Sequence, residues 1–281
     1  MKKKIVTTLA FTLIIVASLL VIFAPSKNKN NSKISIVTSN VILKSMVNSI
    51  GGKYVQVSSL TTNGSEIHDF NPTPSQIKKL TQADLYIKNG LGLEPKLNDK
   101  PKKTLVASEG ILSVKFKDGN KNPHAYLSFL GISTYLKNIT SELIEIDTSH
   151  KSFYEANLKN QLIELQKLEK KYLSKDHDFT IVTDEDAFAY LAKELKFDNQ
   201  FVEQILSNQS VSPKKMADFI NQLKKEKNVK LLSSANESSK TLQTIGDGID
   251  KKISGSVFVD GLDNKKDYLQ TFKENLEVIY E

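Results

Sequence analysis

The sequence predicts an α/β protein of two βα lobes, each with a mostly parallel central sheet flanked by helices, joined by one long helix and leaving a ligand cleft between the lobes. Three observations carry this expectation. Short β-branched runs alternate with longer stretches of helical periodicity from Lys33 onward, the pattern of repeated βα units. The alternation restarts at Phe179, after one long amphipathic stretch from Ser149 to Lys175. A chain of 281 residues is also long for one core and sufficient for two, since domains usually run to about 100 to 200 residues.

The first element precedes both lobes. Lys2, Lys3 and Lys4 stand before an uncharged apolar run from Ile5 to Ala24, so residues 1–24 read as a signal peptide or a membrane anchor. About 20 apolar residues span a bilayer, whereas a signal-peptide core usually has about 7 to 15. Length therefore favours the anchor. Ile22 is also bulky where cleavage wants a small residue, and Pro25 would directly follow a cut after Ala24. With the lysines held inside, the rest of the chain lies at the outer face of the cytoplasmic membrane, or is secreted if the segment is removed. Residues 25–32, which begin PSKNKNN, are polar and aperiodic, and read as a tether.

The N-terminal lobe is expected over residues 33–148. Lys33 to Ser39 reads as a strand, Val41 to Ile50 as a helix stopped by Gly51 and Gly52, and Tyr54 to Leu60 as the next strand. The loop GSEIHDFNPTPSQ follows, from Gly64 to Gln76, with Pro72 and Pro74 keeping it from being helix. Ser75 to Ala83 regains helical spacing, with Ile77 and Leu80 on one face, and Asp84 to Gly90 returns as a strand. His124 follows Pro123 where a loop enters a helix expected from Ala125 to Leu143.

The linking helix, residues 149–175, carries Leu158, Leu162, Leu165, Leu168 and Tyr172 at helical intervals, with Thr148 or Ser149 as its N-cap. The C-terminal lobe, residues 176–281, begins with a strand from Phe179 to Thr183 that hands over to a helix. A helix from Pro213, a strand at VKLLSSA, another helix and a strand from Ile253 to Asp260 follow.

Composition excludes several chemistries. The absence of cysteine removes disulfides, thiolate metal sites, a cysteine nucleophile and a lipid carried on an N-terminal cysteine. Any metal site must use nitrogen and oxygen. The net charge is +7 and every basic side chain is lysine, which argues against nucleic acid, where the bidentate arginine fork would be expected. Subtracting Lys2, Lys3 and Lys4 leaves about +4 for the exported part, an ordinary value.

There are four histidines. His150 and His177 sit in charged, polar surroundings and read as ordinary surface histidines. His68 lies where a strand ends and a helix begins, the edge of an open α/β sheet at which ligands bind. His124 stands at a loop-to-helix entry. Glu185 and Asp260 occupy strand ends in the second lobe, where each acid alone reads equally well as a cap or a turn former. Together, two imidazoles and two carboxylates occupy equivalent strand ends, two in each lobe.

Four stretches of this chain resemble the ligand motifs of the metal-binding solute-binding proteins of zinc and manganese ABC transporters, some of which are called adhesins. GSEIHDFNPTPSQIKKLTQADLYIKNG resembles the first motif, NPHAYLS the second, TDEDAFAYLAKEL the third and VFVDGL the fourth. The resemblance covers nearly everything from Lys33 to Glu281. It implies a metal cleft between the lobes with His68, His124, Glu185 and Asp260 as metal ligands, and the long helix as the link. The chain departs from the family pattern at Ile67, where proline is usual, at Asn122, where an acid is usual, and at Ser234, where an acid is often found. The run Asp184-Glu185-Asp186 leaves the third ligand open by one residue, with Glu185 first. The family's lipid-bearing cysteine is missing, and the segment Ile5 to Ala24 offers a physical substitute.

Two imidazoles with two carboxylates form a fairly hard donor set that suits manganese better than three histidines would. The resemblance adds that zinc-specific relatives place a histidine at the third position and a histidine-rich loop before the second, and residues 92–122 contain no histidine. Manganese is therefore expected as the transported ion, then zinc, then iron. The implied activity is capture and delivery to a transporter permease by a monomer, with no catalysis. Imidazole must be neutral to bind, so affinity is expected to fall as pH drops through about 6.5. The alternatives are an exported metal-dependent hydrolase, with Asp69, Asp184 or Asp186 as general base, and a surface adhesin with a structural metal. The chain has no HExxH, GxSxG or P-loop motif to support the hydrolase.

Overall fold

The computed structural model describes residues 33–65, 70–95, 101–116, 119–201, 206–207, 210–235, 239–263 and 266–281. The N-terminal apolar run, the tether and His68 lie outside the described residues. The first half contains β1 (Ile34–Thr38), α1 (Val41–Gly51), β2 (Val55–Ser59), α2 (Pro74–Gln82), β3 (Leu85–Lys88) and β4 (Thr104–Val106). A 3-10 turn (His124–Leu127), α3 (Phe129–Ile146) and α4 (Lys151–Leu173) lead into the second half. There follow β5 (Thr180–Thr183), α5 (Ala189–Leu195), β6 (Asp198–Phe201), the small hairpin β7 (Leu206–Ser207) and β8 (Ser210–Val211), and α6 (Pro213–Leu223). The chain ends with β9 (Val229–Ser234), α7 (Lys240–Ile249), β10 (Ile253–Val257) and α8 (Tyr268–Tyr280).

Among the described residues, two four-stranded sheets form, ordered β2-β1-β3-β4 and β10-β9-β5-β6. Every pairing in both is parallel. In each sheet the chain adds one strand to one side of its first strand and then crosses to the other side. The order reverses beside β1 in the first sheet and beside β5 in the second. Such switch points open a crevice at the carboxyl ends of the strands. The loops after β5 and β10 both leave the second sheet from that end.

Local chemistry sets the element boundaries. Asn40 caps α1 through its side chain, which accepts from the Leu43 amide at 2.8 Å, and Gly52 ends that helix at φ +52°. Thr73 and Gln76 form a capping box around Pro74 at the start of α2. The helix expected from Ala125 starts instead at Phe129. Ser128, in extended conformation, accepts from the Gly131 amide at 3.1 Å, and the four residues before it are wound into the 3-10 turn. The long helix begins at Lys151 after a 3-10 turn over Thr148–His150, with no side-chain cap. Asp147 there accepts from Tyr154 Oη and pairs with His150.

The strand expected to reach Asp260 ends at Val257. Asn275 of α8 takes both backbone groups of Phe258, its Oδ1 accepting at 2.8 Å and its Nδ2 donating at 2.7 Å. A side chain thus replaces the next rung of the ladder, and Asp260 falls in the turn beyond. The strands β4 and β6, the β7–β8 hairpin and the helix α8 were not expected from sequence.

One buried apolar cluster runs through both halves, joining Met46, Phe129 and Ile132 to Phe188, Leu191, Phe272 and Leu276. Phe129 and Phe272 meet edge to face across it, centroids 5.1 Å apart. Leu165 and Tyr172 of α4 are buried, and Leu158, Leu162 and Leu168 pack against the same core. Each fully buried side chain of this kind contributes about 1.5–3 kcal/mol. No helix among the described residues is long and apolar enough to cross a membrane.

Candidate metal centre

His124 opens the 3-10 turn before α3 and is 1% exposed. The side chain of Asn122 organises it. Its Nδ2 donates to the Asp186 carbonyl at 2.6 Å, which fixes the other amide atom as an acceptor. That oxygen accepts from the His124 backbone amide at 2.9 Å and lies 3.1 Å from Nδ1. In the neutral imidazole the proton therefore sits on Nδ1, and Nε2 presents its lone pair. Nε2 stands 3.6 Å from Glu185 Oε2. A second-half carboxylate thus faces a first-half imidazole.

Glu185 lies in the turn after β5, ahead of α5. Its carbonyl accepts from Thr183 Oγ1 at 2.6 Å and from the Ala187 amide at 2.9 Å, which tightens the turn. Its two acidic neighbours point elsewhere. Asp186 is buried, its Oδ1 accepting from Asn199 Nδ2 at 2.7 Å. Asp184 turns toward Ser239 and Ser234, and burial pushes its carboxyl above the usual range. Asp260 approaches from the turn after β10, and its Oδ1 accepts from the Tyr126 hydroxyl at 2.9 Å.

His124, Glu185 and Asp260 each offer one donor atom, and these atoms all lie within 4.8 Å of one another. Donors sharing one ion at about 2.1 Å can be no more than about 4.2 Å apart, so little or no contraction would seat a cation. The other described histidines have structural roles. His150 stacks on Tyr54 at 3.6 Å and pairs with Asp147 at 2.5 Å. His177 Nδ1 is 2.6 Å from the Tyr280 hydroxyl. Burial raises the Asp147 carboxyl, but hydrogen bonds from Tyr154 and His150 outweigh it and hold the group below the usual range.

Sequence reasoning missed the residues that hold the cluster in place. Asn122 counted there as a departure from an acid, yet an ionised carboxylate could accept from His124 but could not donate to the Asp186 carbonyl as this amide does. Tyr126 was absent from the candidates. The signal available was a tyrosine two residues after a candidate ligand, since a buried tyrosine seeks a partner for its hydroxyl.

Residues 36–281 match the family model described as ZnuA, zinc-uptake complex component A, periplasmic. This chain belongs to that family. Similar to it is the manganese ABC transporter substrate-binding lipoprotein PsaA of Streptococcus anginosus, 27% identical over 99% of this chain and 98% of the relative. The iron-binding protein YfeA of Yersinia pestis is 28% identical over 93% of this chain and 90% of its own length. Among solved structures, a manganese-bound mutant of a periplasmic metal binding protein from Candidatus Liberibacter asiaticus shares the fold, at TM-score 0.79 and 24% identity, over 89% of this chain and 98% of that one. Relatives of this chain thus carry names that specify different ions, so similarity alone does not choose the ion.

Proposed function

We propose that this chain is an extracytoplasmic solute-binding protein that captures one divalent transition-metal ion and delivers it to the permease of an ABC transporter. The observation that carries this reading is the convergence of His124, Glu185 and Asp260, donor atoms within 4.8 Å, in a chain of the zinc-uptake component A family. These three are assigned as ligands, and His68 as the fourth on the strength of its motif in the segment between β2 and α2. A ligand set of two imidazoles and two carboxylates places manganese first and zinc second. The site belongs to a monomer with lobes at 33–148 and 176–281, linked by 149–175, and the N-terminal segment holds it at the outer face of the membrane. Capture rather than catalysis follows from kinship with transporter components, and neither hydrolase nor adhesin is needed to account for the site.

Calorimetric titration of the chelator-stripped full chain with manganese and zinc tests the reading. The expected result is one ion per chain, with affinity lowered at least about 100-fold by His124→Ala and by Asp260→Ala, since each removes a ligand outright. Failure to bind either ion, or binding that survives both substitutions, would refute it.

A further inference from the structure

Tyr126 stands between the ligands contributed by the two halves. Its ring lies edge-on to the His124 imidazole, centroids 5.8 Å apart, and its hydroxyl donates to Asp260 Oδ1 at 2.9 Å. The side chain is buried. A tyrosine hydroxyl keeps its proton far above neutral pH. At neutral pH it is therefore a protonated donor beside a carboxylate.

A carboxylate can hold a cation through one oxygen or through both. The oxygen that accepts the tyrosine proton has one lone pair committed and part of its charge drawn toward the hydroxyl, which makes it the weaker of the two donors to an ion. The backbone of the Asp260 turn is held by Asn275 at Phe258 and by Asn63 at Leu262, which sets the carboxylate beside the Tyr126 hydroxyl. One-oxygen binding keeps the coordination number low. That suits zinc, which is content with four tetrahedral donors, more than manganese, which favours more oxygen donors.

Resting on the metal-carrier reading above, we propose that Tyr126 is a specificity-determining positioning residue that restricts Asp260 to a single donor oxygen and so keeps zinc competitive with manganese at this site. It acts on the ligand and not on the ion. Removing the hydroxyl frees the second oxygen of Asp260.

The test compares the full chain with Tyr126→Phe, titrated with manganese and with zinc separately and in competition. Loss of an outer-shell partner typically costs 10–100-fold in metal affinity. Zinc is expected to weaken about 10-fold, while manganese holds or tightens because it gains an oxygen, so the affinity ratio moves about 10-fold toward manganese. Cobalt(II) supplies an independent signature, because its visible bands weaken as coordination number rises, and they should be weaker in Tyr126→Phe than in the unaltered protein. Equal weakening for both ions with an unchanged cobalt spectrum overturns the proposal and leaves Tyr126 a packing residue. Should the variant fail to fold, the cobalt spectrum of the unaltered chain decides: intense four-coordinate bands support the proposal, and weak six-coordinate bands overturn it. Unaltered protein that binds neither ion overturns the carrier reading and this proposal together, an outcome distinct from a ratio that does not move.

Discussion

Glu185 and Asp260 come from the same half of the chain, yet they are held by different means. The segment carrying Glu185 is tied to the first half along its length. Asn122 bonds the Asp186 carbonyl, Tyr190 Oη donates to the Asn122 carbonyl at 2.8 Å and accepts from the Val114 amide at 3.2 Å. Farther on, Glu194 accepts from the Phe129 and Leu130 amides at 2.8 and 3.1 Å, at the positive end of α3. Asp260 reaches the first half through the Tyr126 hydroxyl and through an exposed clasp in which Asn63 exchanges two 2.6 Å bonds with the Leu262 backbone. The contrast teaches that the His124 and Glu185 segments are fixed to each other by buried hydrogen bonds. The Asp260 turn is the more lightly tied of the two to the first half, since its clasp with Asn63 is exposed.

The sharpest way to break this contrast is Asn122→Ala. It removes the bonds to the Asp186 carbonyl and the His124 amide in a buried place, where each lost partner costs about 1–3 kcal/mol. A stability loss of about 3 kcal/mol in chemical denaturation is expected, with metal affinity down about 10–100-fold. A loss below about 1 kcal/mol would mean that something else fixes the Glu185 arm. Next comes Glu194→Ala, which takes the carboxylate partner from the first two amides of α3 while Ser128 still caps the helix, and should cost about 1–2 kcal/mol.

Glu194 also carries a pH signature. Burial raises its carboxyl above the usual range even though the Phe129 and Leu130 amides pull it down. The folded state therefore binds its proton more tightly than the unfolded state does. Its contribution is greatest at low pH and is lost as pH rises from the ordinary glutamate value near 4.3 through the raised one. Glu194→Gln, which has no charge to titrate, should flatten the dependence of the unfolding midpoint on pH across that window. An unchanged slope would sink the assignment. The smallest effect on stability is expected for Asn63→Ala, under about 1 kcal/mol because the clasp is exposed. Hydrogen exchange at residues 258–263 should nevertheless quicken, and metal release should speed up several-fold, while residues 184–194 stay unchanged.

Much of the fold was legible because parallel strands buried on both faces are short β-branched runs. IVT in β1 and TIVT in β5 announce themselves. The strands that escaped notice are edge strands. β4 has three residues, and β6 reads DNQF, a polar run that becomes a strand because β5 offers it a ladder. Propensity is a weak guide where tertiary pairing decides. His124, Glu185 and Asp260 were legible as a set through their motifs and their places near strand ends, and the structure brings them together. Their supports were not. Asn122, Tyr126 and Asn63 act through partners 64, 134 and 199 positions away, a separation no local pattern encodes.

The last helix bears on how the protein is made. Tyr268, at the start of α8, donates its amide to Ser45 of α1 at 3.0 Å and its hydroxyl to Gln161 of α4 at 2.7 Å, while Asn275 farther along holds the strand end before Asp260. Helix α8 thus braces both α1 and the turn that carries Asp260. A nascent chain still missing α8 lacks the brace for that turn, so the cluster is assembled only once α8 has been made. The ability to hold an ion is therefore acquired later than the two sheets that frame the site.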